Sequence, residues 1–474
     1  MTDSDRRPNI LLLCPDEMKA TALGLYGHKL VTSPFIDRWS RNAAVFEQCH
    51  TVHPKCVPSR TALVTAQYPH VNGHRTLHLH VRPHEINLIR TLRDAGYETS
   101  LCGKNHVVDE ATLPSTFDHW LHDGGRNTLE PLDSKIPLGS YYVGEDPVPL
   151  DDWRDYVNTN NALGWLEHER DKSKPFFTWV NWDSPHPPYK VPAPFHGRID
   201  RSAIELPPRD DFAGKPPYLQ RLSDTYGLSE MDDDGWRELI ATYLEMVQFI
   251  DAEVERVVAK LEELGLADNT IVALWSDHGD FAGEHQLGEK WDTSFYDCIT
   301  RVPLVIHAPG QKGCRTDALV ESIDLMPTLL EMAGVDVPKG IQGRSLKPLM
   351  AGETTKHRDL VFCQGGQEPE MFDRVVAPDA KPRPCLAYQL KQQALFDEPM
   401  INARAKMIRD QRWKYIWRIG GPEELYDLVS DPHEISNLAA QADHAETLQV
   451  YRHKLIQKLV EAETVEPYQD FLES

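Results

Sequence analysis

A doubly wound α/β fold, with a large and mostly parallel sheet and a smaller C-terminal α+β subdomain, is predicted by three observations on the sequence. Short apolar runs alternate with segments of helical spacing along most of the chain. Several of these runs stop at an acid or at a charged loop. From about residue 400 the pattern changes to short strand-like runs followed by one last amphipathic segment. Residues 1–400 are therefore read as the main α/β domain and residues 401–474 as the smaller one.

The elements follow in order. Residues 9–14 (Asn9-Ile10-Leu11-Leu12-Leu13-Cys14) are apolar throughout and end at Pro15-Asp16-Glu17, as a strand covered on both faces does. Residues 61–66 read as a helix with Pro58 near its first turn, where a missing N–H costs nothing. Residues 86–95 are helical by spacing, Gly96 closes them, and 97–102 form a strand. A helix over 153–170 precedes a strand over 176–182. The longest amphipathic pattern, 236–264, stops at Gly265, and the strand 270–276 ends in Asp277. Residues 302–307 form another strand and 323–333 a helix closed by Gly334. Three short antiparallel strands (405–408, 413–418, 424–428) and a helix over 444–462 complete the chain. The segments 130–149 and 206–217 are rich in Pro, Gly and acids and are expected to be surface loops shaping a pocket mouth. In open α/β sheets ligands bind beyond the carboxyl ends of the strands. Asp16, Lys104, Asp183 and Asp277 all follow strand ends, so they are expected to converge.

The chain has 474 residues, 41% of them apolar, which is enough for a large core. A net charge of −23 argues against nucleic acid as partner. It does not argue against a small anion, which responds to local charge. No apolar run approaches a membrane span, and residues 1–14 lack the pattern of a secretion signal. A cytoplasmic location is the expectation. The eight cysteines show no zinc spacing, and seven of them read as free thiols. Self-association is left open.

The eighth cysteine carries the most information. Cys56-Val57-Pro58-Ser59-Arg60 sets a thiol at a helix N-terminus, where backbone N–H groups and the dipole favour an anion. This run resembles the C-x-P-S-R signature of type I sulfatases, in the alkaline-phosphatase-like superfamily. Further segments extend the resemblance over the whole chain. Pro8-Asn9 before the first strand and Asp16-Glu17 after it are similar to the family's P-N-(apolar run)-D-D, with Glu17 departing from it. Asp277-His278-Gly279-Asp280 is similar to S/T-D-H-G-D/E, and Gly103-Lys104-Asn105-His106 to G-K-x-H. Ser184-Pro185-His186-Pro187-Pro188 resembles the P-H-x-P loop. Gly283-Glu284-His285-Gln286-Leu287-Gly288-Glu289-Lys290 resembles the family's G-E-H loop with its closing Lys. Leu425-Tyr426-Asp427-Leu428, Asp431-Pro432-His433-Glu434 and Asn437-Leu438 resemble its C-terminal ending.

The resemblance implies a hydrolase of aryl, alkyl or carbohydrate sulfate monoesters. Cys56 is then oxidised to formylglycine by a formylglycine-generating enzyme, and its hydrated aldehyde is the nucleophile. Asp16, Glu17, Asp277, His278 and residue 56 would hold a divalent cation, with Ca²⁺ expected and Mg²⁺ or Mn²⁺ as alternatives. Oxygen donors suit such a hard ion. Lys104, His186 and Lys290 would hold the sulfate. Asp277 would take a proton, His106 would act as base in the second half of the reaction, and Arg60 would hold position 56. The His-rich run after the nucleophile helix offers His74 and Arg75 as substrate contacts, with His78 and His80 as structural or rim residues. A neighbouring reading is a phosphonate monoester or phosphodiester hydrolase of the same superfamily, in which Tyr and Thr tend to replace the Lys and His of G-K-x-H. A third is a binding protein that keeps Cys56 unmodified.

Overall fold

The computed structural model describes residues 7–121, 136–137, 141–367 and 386–463. Cys385 and parts of the predicted 130–149 loop lie outside the described residues. Among the described residues fourteen strands follow in chain order: β1 (Asn9–Asp16), β2 (Ala44–His50), β3 (Glu98–Gly103), β4 (His119–Leu121), β5 (Tyr142–Asp146), β6 (Phe176–Pro185), β7 (Tyr189–Pro192), β8 (Thr270–Trp275), β9 (Leu304–His307), β10 (Cys314–Glu321), β11 (Val361–Gly365), β12 (Ala405–Arg409), β13 (Trp413–Arg418) and β14 (Glu424–Asp427). Eight of them form one sheet in the order β10-β2-β9-β8-β1-β6-β3-β4. Only β9 runs antiparallel to its neighbours; every other pairing is parallel.

The run in β1 is apolar throughout because both of its faces are covered. Leu11 and Leu13 join one core cluster with the helix Asp233–Glu263, while Ile10 and Leu12 join another with the helices Leu88–Asp94 and Leu325–Met332. A side chain of that size contributes about 1.5–3 kcal/mol on full burial, so such a strand is held firmly at the sheet centre. The long helix starts at Asp232, whose side chain accepts from the Gly235 N–H, and Asp233 and Asp234 suit the positive end of its dipole. Among the described residues no helix is long and apolar enough to cross a membrane.

Six strands were not anticipated: the short β4, β5 and β7, of which β5 lies in the stretch expected to be loop, and then β2, β10 and β11. β2 carries half-buried Glu47 and Gln48, and the first half of β10 alternates at the sheet edge, so neither reads as a buried run. β11 opens the second sheet, of order β11-β12-β13-β14, all antiparallel. That sheet therefore takes its first strand from before residue 401. The predicted helix over 153–170 is α-helical at Arg154–Gly164 and continues as a wider π turn, Trp165–Glu169.

Candidate active site

Four adjacent parallel strands, β8, β1, β6 and β3, bring their carboxyl ends to one edge of the sheet. Asp16 ends β1, Asp183 lies near the end of β6, Lys104 follows β3, and Asp277 follows β8. At Gly103 the chain turns with φ +91°, and a Cβ there would stand 2.0 Å from the Asn181 carbonyl oxygen. Glycine is thus required where the backbone passes β6 to deliver Lys104.

Cys56 begins the fully buried helix Cys56–Thr65. Its Sγ lies 3.6 Å from Asp16 Oδ1 and 3.2 Å from His278 Nε2. One helical turn on, Arg60 is completely buried. Its Nε donates to Asp277 Oδ2 (2.8 Å), Nη1 donates to Asn181 Oδ1 (2.7 Å), and Nη2 is 3.4 Å from Asp16 Oδ2. Ser59 Oγ donates to the Asp277 carbonyl at 2.7 Å, locking the helix to the loop after β8. Asp277 Oδ1 accepts the N–H groups of Glu17 and His278, each at 3.1 Å.

Two lysines converge from opposite sides. Lys104 Nζ donates to Asp16 Oδ2 (2.6 Å) and is 3.2 Å from Asp183 Oδ1. Lys290 Nζ donates to Glu17 Oε2 (2.6 Å) and lies 3.2 Å from His186 Nε2. His186 Nδ1 is 2.6 Å from the Pro187 carbonyl, so Nδ1 carries the proton and Nε2 presents its lone pair to Lys290. Asp155, buried, accepts the N–H groups of Asp183 (2.7 Å) and Ser184 (2.8 Å) and fixes the His186 loop.

The electrostatics follow from burial and pairing. Burial would raise the Asp16 carboxyl, but Lys104 and Arg60 hold it well below the usual carboxylate range. Glu17 goes the other way, because burial outweighs Lys290 and the nearby acids add to it. Burial, then Asp16, pushes the Cys56 thiol well above its ordinary value. His106 and His186 are pushed well below theirs, first by burial and then by neighbouring lysines, so both rings are neutral.

Asp16, Cys56, Asp277 and His278 offer ligand atoms all within 4.8 Å of one another, and Asp16, Glu17 and His186 form a second such group. Glu17 Oε1 is buried without a donor. Asp280 Oδ2 is likewise buried without a donor, and a hydrogen bond links the two carboxyls. Asp16, Asp277 and His278, two carboxylates and an imidazole, fit a divalent cation that prefers oxygen.

Above this cluster opens a cavity of about 680 Å³. Cys56, Lys104, His106, His186 and Lys290 reach its surface; Asp16, Glu17, Asp277 and His278 lie beneath. His106 Nδ1 is buried and has no hydrogen-bond partner. Trp153, Met246, Tyr388 and Leu395 give the cavity an apolar wall, and Lys55, Asp292, Gln367 and Asn402 a polar one. The structure does not bring His74 and Arg75 to the cavity surface. His74 is buried between the Leu79 carbonyl (2.8 Å) and Glu85 (3.0 Å), whereas His78 and His80 line the cavity. The reason is local: the turn after Gly73 directs His74 inward to satisfy Glu85.

Some site residues escaped the sequence reading. Tyr388 and Lys391 come from the helix Leu386–Asp397. Tyr388 Oη is 3.4 Å from His186 Nδ1, and Lys391 Nζ donates to the Lys290 carbonyl at 2.8 Å. Their i, i+3 spacing places them on one helix face and was the only signal available. Asn181, two residues before Asp183, holds Arg60 and lay in a strand read only for its burial.

A buried carboxylate–imidazole cluster thus lies under Cys56 at a helix N-terminus, flanked by two lysines at the carboxyl edge of an α/β sheet. The family model described as Sulfatase matches residues 8–335, and the chain belongs to the sulfatase family. It is 27% identical to the N-acetylglucosamine-6-O-sulfatase of Bacteroides thetaiotaomicron, over 99% of this chain and 88% of that one. It is 26% identical to an arylsulfatase of Clostridium perfringens, over 96% and 94%. Its fold is similar to that of the phosphonate monoester hydrolase of Agrobacterium radiobacter, with a TM-score of 0.79, 23% identity and 96% of each chain covered.

Proposed function

We propose that the protein hydrolyses sulfate monoesters of aryl, alkyl or carbohydrate alcohols, with formylglycine made from Cys56 as its nucleophile. The observation that carries this reading is the position of Cys56, at the head of a buried helix and 3.6 Å or less from Asp16 and His278, with Lys104 and Lys290 on either side. Asp16, Glu17, Asp277, His278 and residue 56 would hold a divalent cation, Ca²⁺ by preference and Mg²⁺ or Mn²⁺ otherwise. When bound, that ion supplies positive charge to the ester oxygens and acidifies a nearby hydroxyl. The formylglycine diol supplies one hydroxyl for attack and a second for release of sulfate, and its formation calls for a formylglycine-generating enzyme as partner.

The chain's own residues do the rest. Lys104 and Lys290 neutralise and orient the sulfate from two sides, which is electrostatic stabilisation set before the reaction starts. His186, its Nδ1–H fixed on the Pro187 carbonyl, accepts from the Lys290 ammonium through Nε2 and orients that charge toward the sulfate. Asp277 lies within 4.8 Å of the nucleophile and takes its proton. Neutral His106 accepts the proton of the second hydroxyl, since its Nδ1 is uncommitted. Arg60 anchors the nucleophile helix to Asp277 and Asn181. A cytoplasmic location is favoured by the six other described cysteines, which are free thiols, five of them buried.

The deciding experiment compares kcat/KM for an aryl sulfate and an aryl phosphonate on one preparation whose position 56 has been checked by peptide mass. Preference for the sulfate is expected, because Lys104 and His106 both reach the cavity surface. Preference for the phosphonate would hand the site to the phosphonate hydrolase reading. An unmodified Cys56 in an inactive protein purified from its own host would favour the binding-protein reading.

A further inference from the structure

The segment 206–217 does not reach the cavity; it packs behind the loop that carries Lys290. That loop, 280–290, is strained. Ala282 (φ 38°), His285 (φ 54°), Gln286 (φ 51°) and Glu289 (φ 59°) all occupy the left-handed region without being glycine. Each such residue is uncommon and persists only where its surroundings impose it. On the cavity side the loop is held by Asp280 and Tyr189: Tyr189 Oη donates to Asp280 Oδ1 (2.7 Å) and accepts the Glu289 N–H (2.6 Å). From behind, a single residue meets both strained positions at its tip. Asp210 Oδ2 bonds His285 Nδ1 at 2.6 Å, and the Asp210 N–H donates to Gln286 Oε1 at 2.7 Å. Gln286 Nε2 donates back to the Pro208 carbonyl at 3.0 Å. Asp210 is itself anchored by Lys215, whose ammonium also donates to the Glu434 carbonyl at 2.7 Å. The side chains of Asp210 and Lys215 are fully buried. The same C-terminal turn grips the loops again, with Asn437 Nδ2 donating to the Gly214 carbonyl (2.7 Å) and His433 lying 3.4 Å from Glu284.

We propose that Asp210 is a positioning residue for Lys290: the 206–217 segment is a clamp, braced on the C-terminal turn at Glu434, that holds the strained 280–290 loop so that the Lys290 ammonium stands between Glu17 and His186. The inference rests on the reading of Lys290 as a sulfate-binding residue. Asp210 touches neither the cavity nor Lys290, so it acts only through the backbone of the loop.

Two variants test the clamp. Asp210→Asn weakens the bond to His285, and Gln286→Ala removes the tie to the Asp210 and Pro208 backbone at a half-buried position. Each is made alone and with Lys290→Ala, in protein modified at position 56, and assayed with an aryl sulfate. We expect each to lower kcat/KM roughly 10-fold or more when Lys290 is present, and less than about threefold when it is absent, as residues acting through one group are non-additive. Backbone amides of 281–290 are expected to exchange faster in both variants, with the rest of the sheet unchanged. The clamp is overturned if both variants keep kcat/KM within twofold of the parent, or if the loss is equally large in the Lys290→Ala background. Failure of the parent reading looks different: the unmutated protein turns over no sulfate ester. In that case faster exchange confined to 281–290 still supports the clamp, and unchanged exchange overturns it.

Discussion

Replacing Lys104 by Ala tests the sulfate site most directly. Its ammonium lies 2.6 Å from Asp16 and 3.2 Å from Asp183, and it reaches the cavity from a side chain 16% exposed. A charge-assisted contact that strengthens in the transition state is worth about 2–4 kcal/mol in such a site, which is roughly 10²–10³ in rate. The substitution also takes from Asp16 its nearest cation. Arg60, at 3.4 Å, remains, so the buried carboxylate is not left alone. Breaking a buried pair outright costs about 3–5 kcal/mol of stability, and here the cost should fall below that because a second cation stays. The assay is therefore kcat/KM for an aryl sulfate, with thermal unfolding recorded on the same samples. A loss of roughly 10²–10³ in a variant that still folds is expected. Sulfate hydrolysis within a factor of about three of the parent would remove Lys104 from the site and with it the argument from β3.

Cys56→Ser cannot yield the aldehyde by the same oxidation, and multiple turnover is expected to stop; full steady-state activity would refute the formylglycine nucleophile. Chelation should abolish activity and addition of Ca²⁺ restore it, with elemental analysis reporting about one ion per chain for a single cluster of this kind. Glu17→Gln keeps the size of the side chain but faces the buried Lys290 ammonium with a neutral group, so both metal affinity and activity should drop; an unchanged metal content would place Glu17 outside the ligands. A last prediction concerns stability. Glu253 is 2% exposed, and burial lifts its carboxyl to about 7 against the pull of Thr159 and Arg256. A folded-state value above the unfolded one of ~4.3 means stability that is full below pH ~4 and is lost as pH rises through 7. Glu253→Gln should therefore gain on the parent between pH 5 and pH 8, by on the order of 3 kcal/mol at most. A difference in Tm that stays constant over that range would show that Glu253 does not titrate there.

Residues whose role is set by their immediate neighbours in the chain were legible. β1 announced itself because both its faces are buried, and the helix at Cys56 because Pro58 and the run behind it fit a first turn. Strand ends at Asp16, Lys104, Asp183 and Asp277 were legible as convergent because parallel sheets place their ligands at one edge. What stayed hidden depends on distance along the chain. β2 and β10 pair with each other across some 270 residues and show mixed polarity, so neither carries a local signal of burial. The clamp at Asp210 pairs with His285 across 75 residues, and in the sequence that acid is one of many in a polar loop. His74 misled for the opposite reason: its neighbourhood is rich in histidine, but the turn at Gly73 decides which of them face the cavity.

The net charge of −23 and a site for an anion are compatible, because the acids hold the cations in place. Lys104 is braced by Asp16 and Asp183, Lys290 by Glu17 and Glu289, Lys55 by Asp292, Lys391 by Glu289, and Arg60 by Asp277. Buried pairs of this kind add little to stability, since desolvation cancels much of the attraction. They do fix the position of long flexible side chains that would otherwise wander in solvent. A lysine held at two carboxylates arrives at the substrate with its entropy already lost, which is what an electrostatic catalyst needs. Removing one brace should then cost activity as well as stability, because the cation left behind is both misplaced and unpaired. On the proposed reading the Asp16, Asp277 and Glu17 carboxylates would serve twice in this arrangement, once as partners of the cations and once as donors for a metal. An acidic substitution on the outer surface would leave this arrangement untouched, whereas neutralising any one of these three removes a brace and a donor together.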